Sequence, residues 1–281
     1  MSHFFCLKIS LFDRYPFFLY IVYVNFIVKI LIKLGKRNIL EEKLINFLTD
    51  SEIWTSYRTK IDLLEQNSDS SNIIDERLKL LSHPNIINLI NSIDDFENQV
   101  VNSHKKADLA YLIDLASKNG FGCCVSKNLG KFRGPGKKDD ICPYATLLML
   151  KLLSIFQDYH EHQITINSIE SLLNLWENSK EKHPYMFYMG NDFRKLKFPF
   201  IWYDILHLAE VLSYFEYAKK DKRFINIIDT IISSKDENGF FLPQSIWTSW
   251  KDWDFSQKKK PSSYITFIVY RILKRVNIKS I

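Results

Sequence analysis

The chain has 281 residues, a net charge of +6, and 46% hydrophobic residues including many aromatic ones. This composition supports a buried core and excludes a disordered chain. Eight glycines and eight prolines are few for a β-sandwich, and the short, scattered basic clusters do not form the stripe of a nucleic-acid-binding module. The cysteines, which lack the spacing of a disulfide framework, favour reduced thiols and a cytoplasmic protein; they are Cys6, Cys123, Cys124 and Cys142.

Residues 1–38 form an apolar N-terminal segment of open role, followed by one predicted domain over residues 39–281. The run 17–28 is apolar apart from Asn25, and it is shorter than the roughly 20 residues that cross a bilayer. Three interpretations stay open. The segment is a packed or peripheral helix, it associates with a membrane through residues 16–34, or translation starts further along the chain.

Apolar residues recur at helical spacing through the domain, and no segment shows sustained strand alternation. In chain order, the predicted helices cover 39–48, 51–64, 73–82, 84–97, 105–118, 143–160, 165–179, 199–218, 221–234 and 261–276. The sequence therefore predicts an all-α fold.

Prolines mark the starts of four apolar helical runs at intervals of 59, 56 and 62 residues; they are Pro84, Pro143, Pro199 and Pro261. Proline is tolerated in the first turn of a helix, where its missing N–H would be unpaired anyway. Asn-Gly-Phe occurs at 119–121 and again at 238–240, where we expect the glycine to end a helix in the left-handed conformation. The pattern predicts a repeated unit of two helices and a long loop, whose copies stack and can close into a ring.

Six segments carry a family resemblance: WTSYRTKIDLL at 54–64, SHK at 103–105, DDICPYATLLMLKLL at 139–153, HPYMFYMGNDFRKLKFPFIWYDILHLAEVLSYF at 183–215, DENGFF at 236–241, and WKDWDFSQKKKPSSYITFIVYRILKR at 250–275. In these segments the chain resembles the α/α-toroid superfamily of terpenoid cyclases and protein prenyltransferases, and most closely its small prokaryotic members. The resemblance implies a ring of antiparallel helix pairs around a central pocket for an isoprenoid-like apolar substrate.

The cyclase signature is incomplete. Cyclases of this superfamily protonate a polyprene with an Asp-x-Asp-Asp acid, and the nearest string here, residues 92–95, has serine in place of the first aspartate. The resemblance therefore does not extend to cyclase chemistry.

The prenyltransferase signature implies a zinc site. In that family an Asp-x-Cys pair at a helix start and a histidine about sixty residues later hold the metal. Asp140 and Cys142 supply the pair here, and His207 lies 65 residues beyond Cys142. The family's tyrosine-adjacent histidine falls on Asp204, so the implied ligands are Asp140, Cys142 and either Asp204 or His207. Such a zinc ion would keep an incoming thiol deprotonated. The alternative is structural, with Asp140 as a helix cap and with Cys142 and His207 in the core.

Substrate-binding candidates in the ring are Tyr144, Arg194, Trp202 and Tyr203. Aromatic walls suit an isoprenoid or a carbocation, and Arg194 with Lys195 and Lys197 suits a diphosphate. Core packing is the alternative role for the aromatic residues.

Two functions follow from these patterns. The first is a prenyltransferase- or cyclase-like protein, in its sharpest form a zinc-dependent transferase that acts on an isoprenoid-like substrate. The second is a non-catalytic toroid that binds a protein partner or a small ligand. The sequence assigns no catalytic residue and no oligomeric state.

Overall fold

A computed structural model describes residues 41–91, 116–117, 119–122, 141–182, 187–201 and 203–277. The chain divides into two compact units, one of Met1–Asn46 with Ile281 and the other of Phe47–Ser280. Only residues 41–46 of the first unit are described, and they are helical. The second unit contains every contact discussed below.

The described chain is mostly helical, which confirms the prediction of an all-α fold. Its helices are α1 (41–49), α2 (Ile53–Arg58, continued by a π-helical turn Thr59–Leu63), α3 (Ser71–Leu81), α4 (Pro84–Asn91), α5 (Pro143–Leu153), α6 (Gln163–Glu177), α7 (Ile205–Leu212), α8 (Glu216–Lys219), α9 (Lys222–Ile232) and α10 (Ser263–Arg275). Short 3₁₀ turns lie at Gln157–Tyr159, Thr248–Trp250 and Asp254–Ser256, and two-residue strands β1 (Ala116–Ser117) and β2 (Gly120–Phe121) pair in antiparallel fashion.

The helices pack as pairs that follow the chain. α2 packs against α3, α5 against α6, and α7 against α9. The first helix of each pair, together with α10, belongs to a continuous series of neighbours. In this series α5 contacts α7, α7 contacts α10, and α10 contacts α2. α6 and α9, the second members of two pairs, contact each other as well.

The helices of this series start at the same end of the unit. Tyr144 at the start of α5 lies 6.3 Å, between ring centroids, from Tyr203, which precedes α7. The Ser263 hydroxyl at the start of α10 donates to Glu52, which precedes α2. We call this the amino-terminal end, and its contacts place the residues before α5, α7, α10 and α2 side by side.

Two loops dock onto helix starts through the same set of hydrogen bonds, 120 residues apart. In the first copy, Cys142 N–H donates to Phe121 O (2.9 Å), and Phe121 N–H donates to Thr146 Oγ1 (3.1 Å). The second copy repeats these bonds at 2.9 and 3.0 Å with Ser262, Phe241 and Thr266. Cys142 Sγ and Ser262 Oγ each cap the third residue of their helix by accepting a backbone N–H. The chain therefore contains an internal repeat at the level of hydrogen bonding.

The Asn-Gly turns differ from the prediction. Gly120 and Gly239 do have positive φ values, 140° and 82°, but the turns close short antiparallel pairings instead of ending helices. β1 and β2 pair across the first turn, and Lys235 bridges Phe241 across the second. The helix predicted over 105–118 is wrong at 116–117, which form β1.

Two long predicted helices are shorter in the structure. The helix predicted over 143–160 ends at Leu153, where the Ser154 hydroxyl donates to Lys151 O and competes with continued helical bonding. The helix predicted over 199–218 begins only at Ile205, because Asp204 caps it, and it ends at Leu212, so that Glu216–Lys219 form the separate helix α8.

Within the described part of the chain, no helix is long and apolar enough to cross a membrane. The segment 16–34, for which membrane association is one of the open interpretations, lies outside that part.

Candidate functional site

Four aromatic rings gather at the amino-terminal end between α5 and α7. Tyr144 is the second residue of α5, and Tyr203 comes just before the cap of α7. Phe187 lies 5.6 Å from Tyr144 and 5.7 Å from Tyr203, and Phe193 lies 4.8 Å from Tyr203, all between ring centroids. We call Tyr144, Phe187, Phe193 and Tyr203 the tyrosine cluster. Its edge-on and tilted contacts are typical of aromatic packing.

One side of the tyrosine cluster reaches the surface. Tyr144 and Phe187 are half-buried, while Tyr188 and Ile201 beside them are 43% and 46% exposed. The Tyr144 hydroxyl donates to Ile201 O at 3.1 Å, which ties the ring to the loop before α7. Gly190 lets the Tyr188 ring lie against the backbone, because a Cβ at position 190 would come within 2.2 Å of that ring. The result is an apolar, aromatic surface at the start of two helices.

Asp204 places a buried carboxyl group behind this surface. Its Oδ1 accepts the His207 N–H at 2.9 Å and so caps α7. Its Oδ2 is buried and has no hydrogen-bond partner among the described residues. Burial raises the pKa of Asp204 to about 7, although the backbone N–H groups of His207 and Leu206 and the charge of Lys197 oppose this rise. This carboxyl group therefore changes its charge near neutral pH.

Burial and neighbouring residues raise the pKa values of both Tyr144 and Tyr203. Burial raises the pKa of Tyr144, and the charges of Asp204 and Cys142 add to that rise. Burial raises the pKa of Tyr203 well above its ordinary value, again with a contribution from Cys142. Two of the predicted zinc ligands, Cys142 and Asp204, therefore lie near the tyrosine cluster.

His207, the alternative to Asp204 in the predicted ligand set, packs in the core. The His207 ring is fully buried and stacks on Phe200, with the ring centroids 4.9 Å apart and the planes 8° from parallel. Cys142 and Asp204 both serve as helix caps. No three His, Cys, Asp or Glu side chains form a metal-binding group within the described ranges, and Asp140 lies outside them. The described residues thus do not assemble the zinc set, and the zinc site stays a prediction.

The cations predicted to meet a diphosphate already have partners. Arg194 stacks on Trp176, 4.1 Å from the ring centroid, and donates to Ser179 Oγ at 3.2 Å. Lys195 and Lys197 both pair with Asp192, at 3.1 and 2.9 Å. Arg194 therefore contacts α6 and the turn after it, and the two lysines share the single carboxylate of Asp192. Trp202, the remaining substrate-binding candidate, lies outside the described residues.

A charged cluster at the opposite end of the helix series was missed by sequence reasoning. Arg271 of α10 donates to Glu210 of α7 at 2.6 Å and to Asp62 of the π-helical turn at 3.3 Å. Arg275 pairs with Glu210 at 2.9 Å, and Arg58 pairs with Asp62 at 2.6 Å. The attraction of Glu210 and Asp62 raises the pKa of Arg271 against the opposing effect of burial. The sequence feature that could have predicted this cluster is the i, i+4 spacing of Arg271 and Arg275 in the largely apolar helix α10.

Surface cavities also lie along the second members of the helix pairs. One of about 450 Å³ is lined by Asn167, Glu170, Ser171 and Asn174 of α6, with Lys182. Its Glu170 carboxylate is held by Arg223 in two hydrogen bonds of 2.7 and 2.9 Å. The lining mixes these polar groups with the apolar Ile141, Pro143 and Leu175 and contains no aromatic ring, so the tyrosine cluster is the better match to an isoprenoid-like substrate.

Comparison of the chain with protein-family models, with curated proteins and with solved structures finds no match.

Proposed function

We propose that this protein is an α/α toroid that binds an isoprenoid-like apolar ligand on the tyrosine cluster. The observation that carries the proposal is the pair of half-buried rings of Tyr144 and Phe187, which rest on the buried Tyr203 and Phe193 and have the exposed Tyr188 and Ile201 beside them. Aromatic faces provide a large apolar area and accept branched hydrocarbon chains without directional bonds.

The toroid part of the proposal is supported by the order in which the helices pack. In a toroid, alternate helices form an inner series and their partners form an outer series. The series α5, α7, α10, α2 and the contact between α6 and α9 follow that order. The loop-to-helix hydrogen bonds repeated after 120 residues are also expected of a ring built from copies of one unit.

The ligand is expected to be recognised by its hydrocarbon part. Lys195 and Lys197 are engaged by Asp192, and Arg194 is engaged by Trp176, so a diphosphate would have to displace these contacts. An uncharged isoprenoid such as farnesol needs no such exchange. The account therefore predicts that farnesol binds at least as tightly as farnesyl diphosphate.

Calorimetric titration with farnesol tests the proposal. We expect saturable binding to the intact protein, a loss of about tenfold in affinity for Tyr144→Ala, and near-normal affinity for Tyr144→Phe, which keeps the ring. Tyr217→Ala is the matched control, because Tyr217 is a 40% exposed tyrosine that bonds to Glu170 of α6. Absence of saturable binding, or equal losses in the Tyr144 and Tyr217 variants, would contradict the proposal.

A second candidate, the zinc-dependent transferase, is favoured by one observation. Cys142 precedes Tyr144 by two residues and Asp204 follows Tyr203 directly, and the two tyrosine rings lie 6.3 Å apart, so two of the predicted ligands lie close to the proposed ligand site. Zinc held there with Asp140 would activate a thiol beside the apolar ligand. Metal analysis, described in the Discussion, decides between this candidate and simple ligand binding.

A further inference from the structure

The loop between α9 and α10 presents three tryptophans at intervals of three residues. Trp247, Trp250 and Trp253 are each half-buried, with ring centroids of Trp250 and Trp253 5.8 Å apart. Leu242 and Ile246 at the start of the loop are 38% and 37% exposed. The loop is well ordered by its own bonds, since the Ser256 hydroxyl donates to Trp247 O at 3.0 Å. A structured loop thus keeps large apolar side chains partly in water.

The junction of α3 and α4 adjoins this loop through Trp54 of α2. The Trp54 ring lies 4.5 Å from Trp253 on one side and 5.3 Å from the His83 ring on the other. On either side of His83, Leu81 at the end of α3 and Ile87 in α4 are exposed. We call the combined patch the tryptophan surface; it consists of Leu81, Ile87, Leu242, Ile246, Trp247, Trp250 and Trp253.

Lysines flank the tryptophan surface. The Gln257 amide binds Lys260 O through Nε2 and the Lys259 and Lys260 N–H groups through Oε1, and this turn leaves the side chains of 258–260 exposed. The same Gln257 Nε2 donates to Asp254 O, so the lysine turn is fixed against the tryptophan loop.

Of the acidic residues in the loop, Asp236 and Glu237 belong to the Asn-Gly turn at its start, and Asp252 and Asp254 are the two nearest in sequence to the lysine turn. Asp254 faces inward, where its Oδ2 accepts from the Ser262 and Ser263 hydroxyls and from the Tyr264 N–H. Asp252 is exposed and adjoins the exposed Lys251. Lys258, Lys259 and Lys260 therefore remain as a local excess of positive charge.

We propose that the tryptophan surface docks the protein on a lipid bilayer that contains anionic headgroups. Tryptophan prefers the interface between headgroups and acyl chains, exposed aliphatic residues insert below it, and lysines attract the anionic lipids above it. Examples of all three, namely the tryptophans, the exposed Leu242 and Ile246, and the lysines 258–260, belong to the single loop between α9 and α10. A binding site for a protein partner would not require the row of lysines beside the aromatic rings.

Docking would bring the proposed ligand site close to the bilayer. Phe198 in the loop before α7 lies 4.7 Å from Tyr264 of α10 and 4.9 Å from Phe255 of the tryptophan loop, between ring centroids. The tyrosine cluster and the tryptophan surface therefore occupy the same amino-terminal end. Isoprenoids dissolve in bilayers, so an apolar ligand could enter from the membrane. The docking itself does not depend on the ligand proposal.

Sedimentation of the full chain with sucrose-loaded vesicles tests the docking. The anionic probe is a vesicle of phosphatidylcholine with about 30% phosphatidylserine, and the neutral probe is a vesicle of phosphatidylcholine alone. We expect the protein to bind the anionic vesicles and to bind the neutral ones much more weakly. The variant K259Q/K260Q should lower the partition coefficient by roughly 30-fold, at about 1 kcal/mol for each lysine and 1.4 kcal/mol for each factor of ten. Leu81→Ser with Ile87→Ser should lower it by roughly tenfold, because the apolar area that the membrane would bury is lost, while the 51% and 42% exposure of the two side chains limits the cost to the fold.

Matched controls come from the opposite end of the helices. Lys220 and Lys222, next to the start of α9, are exposed like the lysines under test, and Ile155 beyond α5 is 74% exposed. We expect K220Q/K222Q and Ile155→Ser to change the partition coefficient by less than twofold. Equal binding to neutral and anionic vesicles, or equal losses in test and control variants, would overturn the proposal. Binding that persists in all four variants would also overturn it and would point to another part of the chain.

Discussion

Asp204→Asn should change the pH dependence of stability in a direction that is unusual for an aspartate. Folding raises the pKa of this carboxyl group from 3.8 to about 7, because the group is fully buried and its Oδ2 has no described partner. The folded state therefore keeps a proton that the unfolded chain releases near pH 4. The free energy of unfolding should fall as the pH rises from about 4 to about 7, and the Asp204 contribution should be constant above that range.

The difference of about three between the pKa of Asp204 in the folded and unfolded states sets the size of the change in the free energy of unfolding. At 1.36 kcal/mol for each pKa unit, the penalty reaches about 4 kcal/mol above pH 7. Asparagine can still accept the His207 N–H and cap α7, but it cannot ionise. The stability difference between Asp204→Asn and the parent should thus be small at pH 4 and should grow to about 4 kcal/mol in favour of the variant at pH 8.

Urea unfolding, followed by tryptophan fluorescence at a series of pH values, measures this difference. Asp192→Asn is a control of opposite sign, since hydrogen bonding from Lys197 lowers the pKa of Asp192 and any stability that it contributes is lost as the pH falls. The size of its effect is set by Lys197, whose buried ammonium loses its carboxylate partner in this variant. A pH-independent difference between Asp204→Asn and the parent would refute the reasoning.

Three further predictions concern stability and metal content. Thr146→Val and Thr266→Val should each cost about 1–3 kcal/mol in urea unfolding, because each leaves a buried backbone N–H of the docked loop without its acceptor. Arg271→Met should cost about 2 kcal/mol and should have a smaller effect when it is combined with Glu210→Gln, which removes the buried charge left behind. If the zinc prediction is correct, inductively coupled plasma mass spectrometry should find about one zinc ion per purified chain. The variant Cys142→Ser should lose this zinc ion while keeping the helix cap.

Each of these predictions has its own control or contrary result. Thr230→Val should leave stability within about 0.5 kcal/mol of the parent, because its hydroxyl donates to Asn226 O on an exposed face. Equal costs at Thr230 and Thr146 would contradict the docking role of the repeat. An additive result for the Arg271 and Glu210 pair would mean that the two side chains are not coupled. Zinc absent from the parent, or retained by Cys142→Ser, would exclude the predicted metal site.

The sequence predicts the helices well wherever apolar residues recur at helical spacing. α9 is an example, since Phe224, Ile227, Ile228 and Ile231 form its buried face. Helix ends are predicted less well because they depend on capping contacts. The sequence predicts Asp204 within a helix that starts at Pro199. In the structure its side chain caps α7, so the helix begins only at Ile205.

The candidate site was predicted only in part. The sequence predicts Tyr144 and Tyr203 as residues that line the ring, and the structure brings the two side chains together. His207 was chosen from its distance along the chain to Cys142, and that distance carries no information about the direction of a buried ring. Arg194 was assigned to a diphosphate by charge, but its stacking on Trp176 depends on a contact that the linear pattern does not contain.

The most direct test of the central claim is to map where an isoprenoid touches the protein. A farnesol analogue that carries a diazirine can be bound to the intact chain, activated by light, and located by peptide mass spectrometry. The account predicts that labelling concentrates on Tyr144, Phe187, Tyr188 and Ile201, and that unlabelled farnesol competes for it. Labelling spread over the surface, or centred on the cavity along α6, would contradict the claim.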